Sequence, residues 1–289
     1  MDVRGVLEQW GLRPSKGLGQ NFLVDQTVLD KIVAAAELTS DDIVLEVGAG
    51  LGTLTERLAQ NAGRVIAVEL DQRLMPVLQD ALSNFDNVTL IQGDILTLDP
   101  AALVNAAGIQ YPDPASSTRY KVVANLPYYI TSAVLRHLLE ARVKPQCLVL
   151  TVQREVAARI CAKPGQMSLL AVSVQFYGRP QRLFRIKPGS FYPSPSVESA
   201  VLRIDIHATR PVSAEDTDAF FRVVRAGFSQ RRKQLRNSLA AGLRRPPKEI
   251  ATQLKGTGVD PRRRAQTLNL EEWVCVARAV GGVGDKQGR

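Results

Sequence analysis

Apolar residues along the first two thirds of the chain follow two alternating patterns. Between short β-rich runs lie longer stretches with apolar positions three and four residues apart. The short runs are at residues 43–47, 64–70, 88–92, 121–124 and 147–152, and the longer stretches are at 53–60, 72–83, 132–141 and 155–162. This alternation is typical of a parallel sheet covered by helices on both faces. The sequence therefore predicts an α/β fold with a doubly wound sheet.

The pattern changes after the fifth β-rich run. A proline- and glycine-rich segment, residues 186–195, precedes one more β-rich run at 199–206. Because so short a connection cannot hold a crossover helix, we expect this last strand to be antiparallel. Residues 105–119 are rich in turn-forming residues and predict a surface insertion. Helical periodicity dominates after residue 206, so we predict two domains, 1–206 and 207–289.

Charge separates these two predicted domains. The chain carries 37 Lys and Arg against 28 Asp and Glu, a formal net charge of +9. Residues 1–206 balance to zero, so the whole excess falls in residues 207–289. This asymmetry predicts an acidic polymer or surface as the partner of the second domain. A solvated helical surface without a partner is the alternative.

Composition excludes several other classes of protein. With 45% apolar and 22% charged residues, the chain is neither disordered nor collagen-like. Its apolar runs are too short to span a bilayer. Asp2 and Glu8 stand where a secretory signal would be apolar. Three widely spaced cysteines and two histidines without ligand spacing predict reduced thiols, a cytoplasmic location and no metal site.

A glycine-rich turn, Glu-Val-Gly-Ala-Gly-Leu-Gly at residues 46–52, follows the first β-rich run. Gly48 and Gly50 allow a sharp turn and a close approach of a ligand to the backbone. Glu69 ends the next run, where its carboxylate can accept hydrogen bonds from ribose hydroxyls. Asp94 follows the third run, where it can accept from the amino group of adenine. We therefore predict a nucleoside ligand at this edge of the sheet.

Two nucleoside ligands compete for this turn. A dinucleotide fingerprint requires a third glycine where the chain has Thr53, so that fingerprint fails. An acidic residue two positions before Gly48 suits S-adenosylmethionine, which has a ribose and an adenine but no phosphate. The sequence favours S-adenosylmethionine over the cofactor of a nucleotide-dependent oxidoreductase. A tight turn beside two solvated acids is the structural alternative.

A second motif, Asn125-Leu126-Pro127-Tyr128, follows the fourth run. The Asn125 side-chain oxygen and a carbonyl near Leu126 can hold the N–H groups of an exocyclic amine. Pro127 fixes its own φ, and Tyr128 offers a ring on which a base can stack. Phe191 could cover the other face of the base, although a structural role in its proline-rich loop is equally compatible. Positioning of this kind predicts methylation of a neutral amine without a strong general base.

Residues 220–239 predict one amphipathic helix. Its cations fall on one stripe, adjacent to an apolar stripe that can pack against the domain; they are Arg222, Arg225, Arg232, Lys233 and Arg236. Further cations occur at residues 244–245 and 262–264. Phosphate groups of RNA are the predicted partner of this stripe. A membrane surface is the alternative, which the absence of Trp from the apolar stripe disfavours.

These motifs together resemble the ribosomal RNA small subunit methyltransferase A family, the adenine-N6,N6 dimethyltransferases. The resemblance runs from about residue 17 to 269 and rests on Gly19-Gln20-Asn21-Phe22-Leu23, residues 46–52, Glu69-Leu70-Asp71, Gly93-Asp94, Asn125-Leu126-Pro127-Tyr128, residues 191–195 and residues 228–233. It implies a class I, Rossmann-like methyltransferase domain with residues 1–25 as an N-terminal flap. A small, all-helical C-terminal domain would bind RNA. The implied substrate is a pair of adjacent adenosines in the 3′-terminal hairpin loop of 16S rRNA, in an immature small subunit, and the implied enzyme is a monomer.

The resemblance also assigns residues. The implied methyl-donor contacts are Asn21, Leu23, Gly48, Glu69, Asp94 and Asn125. The implied target-base contacts are Asn125, Leu126, Pro127, Tyr128 and Phe191. The chain departs from many members at Tyr129, where they have Asn, and in the length of the 105–119 insertion. A sister enzyme acting on large-subunit rRNA and a non-catalytic binding protein are the alternatives.

Overall fold

Nine strands form two sheets in the computed structural model, which describes residues 2–106 and 120–284. The strands are β1 (Phe22–Leu23), β2 (Ile43–Val47), β3 (Arg64–Glu69), β4 (Val88–Gln92), β5 (Tyr120–Asn125), β6 (Cys147–Gln153), β7 (Gly178–Ile186), β8 (Phe191–Tyr192) and β9 (Ser199–Ile206). The five predicted runs and the predicted last strand all form strands, with bounds that differ by at most one residue. Most of the predicted insertion, residues 107–119, lies outside the described residues.

The larger sheet has seven strands in the order β4-β3-β2-β5-β6-β9-β7. The pairs from β4 to β6 are parallel, and β9 is antiparallel to β6. The strand order reverses between β2 and β5, which is the switch point where doubly wound sheets bind ligands. This arrangement confirms the predicted Rossmann-like fold class and the antiparallel last strand.

Twelve helices lie in the described residues. They are α1 (Val3–Gln9), α2 (Gln26–Ala35), α3 (Thr53–Asn61), α4 (Met75–Ala81), α5 (Pro100–Ala106), α6 (Thr131–Glu140), α7 (Arg154–Ile160), α8 (Leu169–Tyr177), α9 (Thr217–Phe228), α10 (Leu235–Leu243), α11 (Pro247–Gly256) and α12 (Leu270–Gly281). The helix predicted at 72–83 is instead a 3₁₀ turn over Gln72–Leu74 followed by α4. Pro76 lacks an N–H, which is tolerated only in the first turn of an α-helix. Within residues 2–106 and 120–284, no helix combines the length and apolar composition needed to cross a bilayer.

The core of the sheet lies in its central strands. Every residue of β2 is buried, and Val122 and Val149 in the neighbouring strands are fully buried. Strands covered on both faces consist of near-continuous Val, Ile and Leu, which is why these strands are evident in the sequence. Strand β7 was not predicted, because Arg182 and Arg185 interrupt its apolar residues and it lies at the sheet edge, where charge is tolerated.

The chain divides into two compact units. The first comprises residues 1–157 and 181–206, and the second comprises residues 158–180 and 207–289. This division and the predicted one therefore differ over residues 158–180. The reason is an aromatic cluster in the second unit, where Phe176 of α8 lies 4.8 Å from Phe220 of α9, ring centroid to ring centroid. Tyr177 and Phe221 complete the same cluster.

The prediction of one continuous helix over residues 220–239 is wrong. α9 ends at Phe228 and α10 begins at Leu235. α10 folds back on α9 so closely that a Cβ on Gly242 would lie 2.5 Å from the Cβ of Ala226. The helical hydrogen-bonding pattern of α9 does not run on into α10, because the N–H of Leu235 donates to the carbonyl of Arg263 at 2.7 Å. Tertiary packing thus overrides a helical pattern that is continuous in the sequence.

Candidate active site

A cleft opens at the carboxyl ends of β2, β3 and β5, entirely within the first unit. It brings together most of the residues predicted for the methyl donor and the target base: Asn21, Gly48, Gly50, Glu69, Asp94, Asn125, Leu126, Pro127, Tyr128 and Phe191. Leu23 does not line the cleft. Its side chain is 2% exposed and packs in the apolar cluster below, while its carbonyl accepts a hydrogen bond from Thr53. The structure thus places these residues in one cleft, and their roles in binding the donor and the base stay predictions.

The glycine-rich turn forms the floor of the cleft. Gly48 and Gly50 have φ values of +77° and +63°, in the left-handed region that favours glycine. The N–H of Gly50 donates to the Glu69 Oε2 atom at 2.8 Å. A Cβ on Gly50 would lie 3.2 Å from the ring of Phe22, so a side chain here would press on the N-terminal segment. The turn therefore requires glycine for both its conformation and its packing.

The carboxylate of Glu69 is fixed by backbone donors. Its Oε2 accepts from Gly50, and its Oε1 accepts from the N–H of Asp71 at 2.8 Å. The backbone N–H of Leu70 also acts on the carboxylate, and the lone pairs left on its two oxygens can accept further hydrogen bonds. Burial raises the pKa of Glu69 above its usual value, and the hydrogen bonds from Asp71 and Gly50 oppose this shift. This geometry suits the recognition of paired hydroxyl groups.

Glu46 lies beneath the same turn and is 1% exposed. Burial raises the pKa of its carboxyl to about 8, an effect opposed by the Thr55 hydroxyl and reinforced by the charge of Glu69. The side chain does not line the cleft, and burial favours its protonated, neutral form.

We predict that Glu46 makes the folded state less stable at alkaline pH. Between pH 4.5 and about 8 the unfolded chain loses the Glu46 proton while the folded chain keeps it, so raising the pH favours unfolding. Glu46→Gln should remove this contribution, so that the free energy of unfolding of the variant, relative to that of the unmodified chain, increases between pH 6 and 9. Urea unfolding of both proteins at the two pH values measures this. A difference that is the same at both pH values would contradict the prediction.

Asp94 follows β4 at the same edge of the sheet. Its Oδ1 accepts from the N–H of Leu96 at 2.9 Å, and its carbonyl accepts from the N–H of Thr97. These bonds close a turn that places Asp94 in the lining of the cleft. The side chain can therefore accept from an amino group of a ligand in the cleft.

Asn125 ends β5, and its side-chain amide is oriented by the N-terminal segment. Its Nδ2 donates to the backbone carbonyl of Asn21 at 3.0 Å. The Asn21 side chain in turn donates to the carbonyl of Gly19 at 3.0 Å. Because Nδ2 is engaged, Oδ1 is the group that Asn125 presents as an acceptor, and no described residue donates to it. The sequence motif identified Asn125 but could not show what orients it.

Gln20 and Asp71 hold the N-terminal segment against the sheet. The resemblance places Gln20 in the flap over the donor without naming its partner, and it gives Asp71 no role. The Gln20 Nε2 atom donates to Asp71 Oδ2 at 2.8 Å, and its Oε1 accepts from the N–H of Ser15 at 2.7 Å. Arg73 also donates to Asp71 and lowers the pKa of that carboxyl. Both residues lie inside motifs that the sequence analysis quoted, which is the signal that could have pointed to them.

The predicted base-binding side of the cleft is equally well fixed. The Tyr128 hydroxyl lies 2.6 Å from the Oγ atom of buried Ser199, so the ring cannot swing freely. Phe191 belongs to β8, which pairs antiparallel with β1 and places Leu23 opposite it. The small sheet therefore ties the segment that carries Asn21 to the segment that carries Phe191. A planar base can be held in the cleft between these fixed groups.

A family model now joins this geometry to known proteins. The model described as ribosomal RNA adenine dimethylase matches residues 12–280. The chain belongs to the ribosomal RNA adenine dimethylase family. It is therefore an rRNA adenine dimethyltransferase, and the resemblance inferred from its motifs is confirmed.

Relatives of this dimethylase extend over nearly its whole length. A protein of Dehalococcoides mccartyi strain CBDB1, named ribosomal RNA small subunit methyltransferase A, is 48% identical over 271 residues, which cover 94% of this chain and 90% of that protein. A protein of Moorella thermoacetica with the same name is 45% identical over 277 residues, covering 95% of each. Among solved structures, the crystal structure of the 23S rRNA methyltransferase ErmE superposes with a TM-score of 0.71 and a sequence identity of 27%. The match covers 90% of this chain and 99% of that chain.

The second unit of the dimethylase carries the predicted RNA-binding cations. Arg222, Arg225, Arg232 and Lys233 are exposed, and Arg236 is half-buried. Because the predicted helix is broken, these residues lie on α9, on the turn after it and on α10 rather than on one stripe. Arg263, part of the further predicted cluster, has a structural role instead, because its guanidinium pairs with Glu272 and donates to the carbonyl of Thr267.

Proposed function

We propose that the chain transfers methyl groups from S-adenosylmethionine to N6 of two adjacent adenosines in the 3′-terminal hairpin loop of 16S rRNA. The immature small ribosomal subunit is the proposed substrate particle. The observation that carries this proposal is the Asn125 amide, whose nitrogen is engaged by Asn21 so that its oxygen can accept from an adenine amino group. Curated relatives named as small subunit methyltransferases support the choice of rRNA.

The cleft residues fit the proposed donor. Glu69 would accept from both ribose hydroxyls through its free lone pairs, and Asp94 would accept from the amino group of the donor's adenine. Gly48 and Gly50 would let the backbone approach the donor closely. When bound, S-adenosylmethionine supplies a methyl group on a positively charged sulfonium.

The target adenine is held by neutral groups. Asn125 Oδ1 and the Leu126 carbonyl would accept from the two N–H groups of N6, while Tyr128 would stack on the ring. Holding both N–H groups directs the nitrogen lone pair away from them, towards the donor side of the cleft. Transfer would form the bond from N6 to the methyl carbon while the sulfur–methyl bond breaks, so that the donor leaves as a neutral thioether. The methylated, positively charged nitrogen would then release one proton to solvent, and no general base is required before transfer. Most of the rate increase would then come from positioning.

Repetition of the reaction constrains the same contacts. After the first transfer N6 keeps one N–H, so only one of the two acceptors can hold it in the second transfer. Asn125 is the acceptor whose orientation the N-terminal segment fixes. We infer that Asn125 holds the remaining N–H.

The decisive experiment uses the purified protein, S-adenosylmethionine and small ribosomal subunits that lack these methyl groups. Mass spectrometry of the digested rRNA should find N6,N6-dimethyladenosine at two adjacent positions of 16S rRNA. Large subunits serve as the comparison, because ErmE is a 23S rRNA methyltransferase of similar fold. Methylation confined to 23S rRNA, or none on either particle, would overturn the proposal.

We also propose that residues 207–289 bind the rRNA backbone. Exchanging exposed Arg232 and Lys233 for glutamine should weaken binding to small subunits and reduce the slope of log K against log salt by about two, since each lost phosphate contact removes about one. Binding measured between 50 and 300 mM salt tests this. Glutamine at exposed Lys31 and Arg142 removes the same charge from the first unit and should leave the slope unchanged. An equal effect of both pairs would mean that Arg232 and Lys233 act only through net charge.

A further inference from the structure

Tyr129 is an exposed aromatic residue at the cleft, and nothing in the proposed reaction uses it. Its side chain lines the same cleft as Asn125 and Tyr128 and is 59% exposed. The neighbouring Tyr128 is half-buried and held by Ser199. The Tyr129 hydroxyl makes no hydrogen bond to any residue in the described parts of the chain. An exposed ring without a structural partner on its outer face is available to a ligand.

The position of the ring is nevertheless fixed. One side of it lies against Gly19, where an added Cβ would come 3.2 Å from a ring carbon. Gly19 has a φ of +60° and lies two residues before Asn21, whose carbonyl accepts a hydrogen bond from the Asn125 side-chain amide. One edge of the Tyr129 ring is therefore packed against Gly19, while more than half of the side chain stays exposed. A ring held in this way loses little conformational entropy when a base stacks on it.

The exposed part of the ring lies beside the proposed target-base site. Tyr128 and Tyr129 are consecutive, so their Cα atoms are separated by about 3.8 Å. A nucleotide next to the target adenosine is joined to it by a single phosphodiester group, so it enters the same region of the cleft. Proteins recognise unstacked bases of RNA loops by stacking them on aromatic side chains.

The turn that contains Gly19, against which Tyr129 packs, also carries an exposed cation. Lys16 is exposed and begins the turn in which the N–H of Gly19 donates to the Lys16 carbonyl at 3.0 Å. No carboxylate among the described residues pairs with it. An aromatic face together with a cation is the combination that binds a single-stranded nucleotide through its base and its phosphate.

We propose that Tyr129 forms a second nucleobase subsite, which stacks the nucleotide adjoining the target adenosine while Lys16 contacts its phosphate. This inference rests on the proposed function, since it assumes that an unpaired RNA loop enters the cleft. The subsite holds the adjoining nucleotide during transfer and makes no contact with the methyl donor. Tyr129 is thus a specificity residue.

The test compares Tyr129→Leu with Tyr129→Phe in the full-length protein. Leucine keeps apolar contact with Gly19 and removes the ring, whereas phenylalanine keeps the ring. We expect the Kd for small ribosomal subunits, measured by filter binding, to rise about tenfold with leucine and to stay within twofold with phenylalanine. Trp10→Leu, at an aromatic residue that is 38% exposed and outside the cleft, should not change the Kd.

Calorimetry with S-adenosylmethionine separates stacking from support of the N-terminal segment. The donor Kd should be the same for the unmodified chain and all three variants. Either an unchanged particle Kd for Tyr129→Leu or an equal loss for Tyr129→Phe would overturn the subsite, as would a parallel loss of donor affinity for Tyr129→Leu. Binding is measured without turnover, so an unmodified chain that binds particles but does not methylate them would count against the proposed function and not against the subsite.

Discussion

Exchanging Asn125 for alanine should lower kcat for methyl transfer to small subunits by about 100- to 1000-fold. The loss of one preorganised hydrogen-bonding group in a water-excluded site typically costs this much. The N-terminal segment aims the amide oxygen at the proposed position of N6, and water cannot reproduce that alignment. Donor affinity should fall far less, because Glu69 ends β3 and Asp94 follows β4, so both keep their backbone contacts. Labelled-methyl transfer gives kcat, and calorimetry gives the donor Kd.

A second substitution separates the amide oxygen from the shape of the side chain. Asn125→Asp keeps the acceptor oxygen but replaces the NH2 group, which donates to the Asn21 carbonyl, by a second acceptor oxygen. Its carboxylate would face that carbonyl and turn away. We expect it to be as inactive as Asn125→Ala. Asn61→Ala is the matched control, since this exposed amide donates only to the carbonyl of Arg57 outside the cleft. Turnover of Asn125→Ala within threefold of the control would show that the amide does not hold the reacting amine.

The residues that could be identified from the sequence are those that follow strands with a local signature. β2 consists of buried apolar residues, so its end, and with it the glycine-rich turn, is evident without a structure. Glu69 and Asn125 follow from the same reasoning, because the carboxyl ends of parallel strands meet at one edge. The structure brings all three together in one cleft.

The features that could not be predicted depend on contacts between distant parts of the chain. Gln20 donates to Asp71 across 51 residues of sequence, and no local pattern encodes that partnership. The orientation of the Asn125 amide is of the same kind, since Asn21 lies 104 residues away. The break between α9 and α10 also has a tertiary cause, the close approach of Gly242 to Ala226. Periodicity describes which face is apolar but not where a helix folds back on its neighbour.

Glu69 carries the second large expected effect, on binding of the proposed donor. Glu69→Gln is nearly isosteric, but its amide nitrogen would face the N–H of Gly50 or of Asp71, which the carboxylate accepts at 2.8 Å. The variant therefore disturbs the glycine-rich turn and loses charge-assisted bonds to the ribose hydroxyls, which contribute about 1.5–3 kcal/mol each. We expect the Kd for S-adenosylmethionine to rise by at least about 100-fold. Isothermal titration calorimetry measures this directly, without RNA.

The pH dependence of the same titration tests whether the charge on Glu69 is the cause. Burial raises the pKa of Glu69, and the ionised form is the one that accepts from two hydroxyls, so donor affinity of the unmodified chain should fall as the pH is lowered through that pKa. Glu69→Gln has no such group, so its weaker donor affinity should not fall further as the pH is lowered. Glu8→Gln, at an exposed glutamate of α1, should bind the donor as tightly as the unmodified chain and show the same loss of donor affinity at low pH. If Glu69→Gln retained both the affinity and the pH profile, the carboxylate would not contact the ribose, and the donor would have to lie elsewhere along the sheet edge.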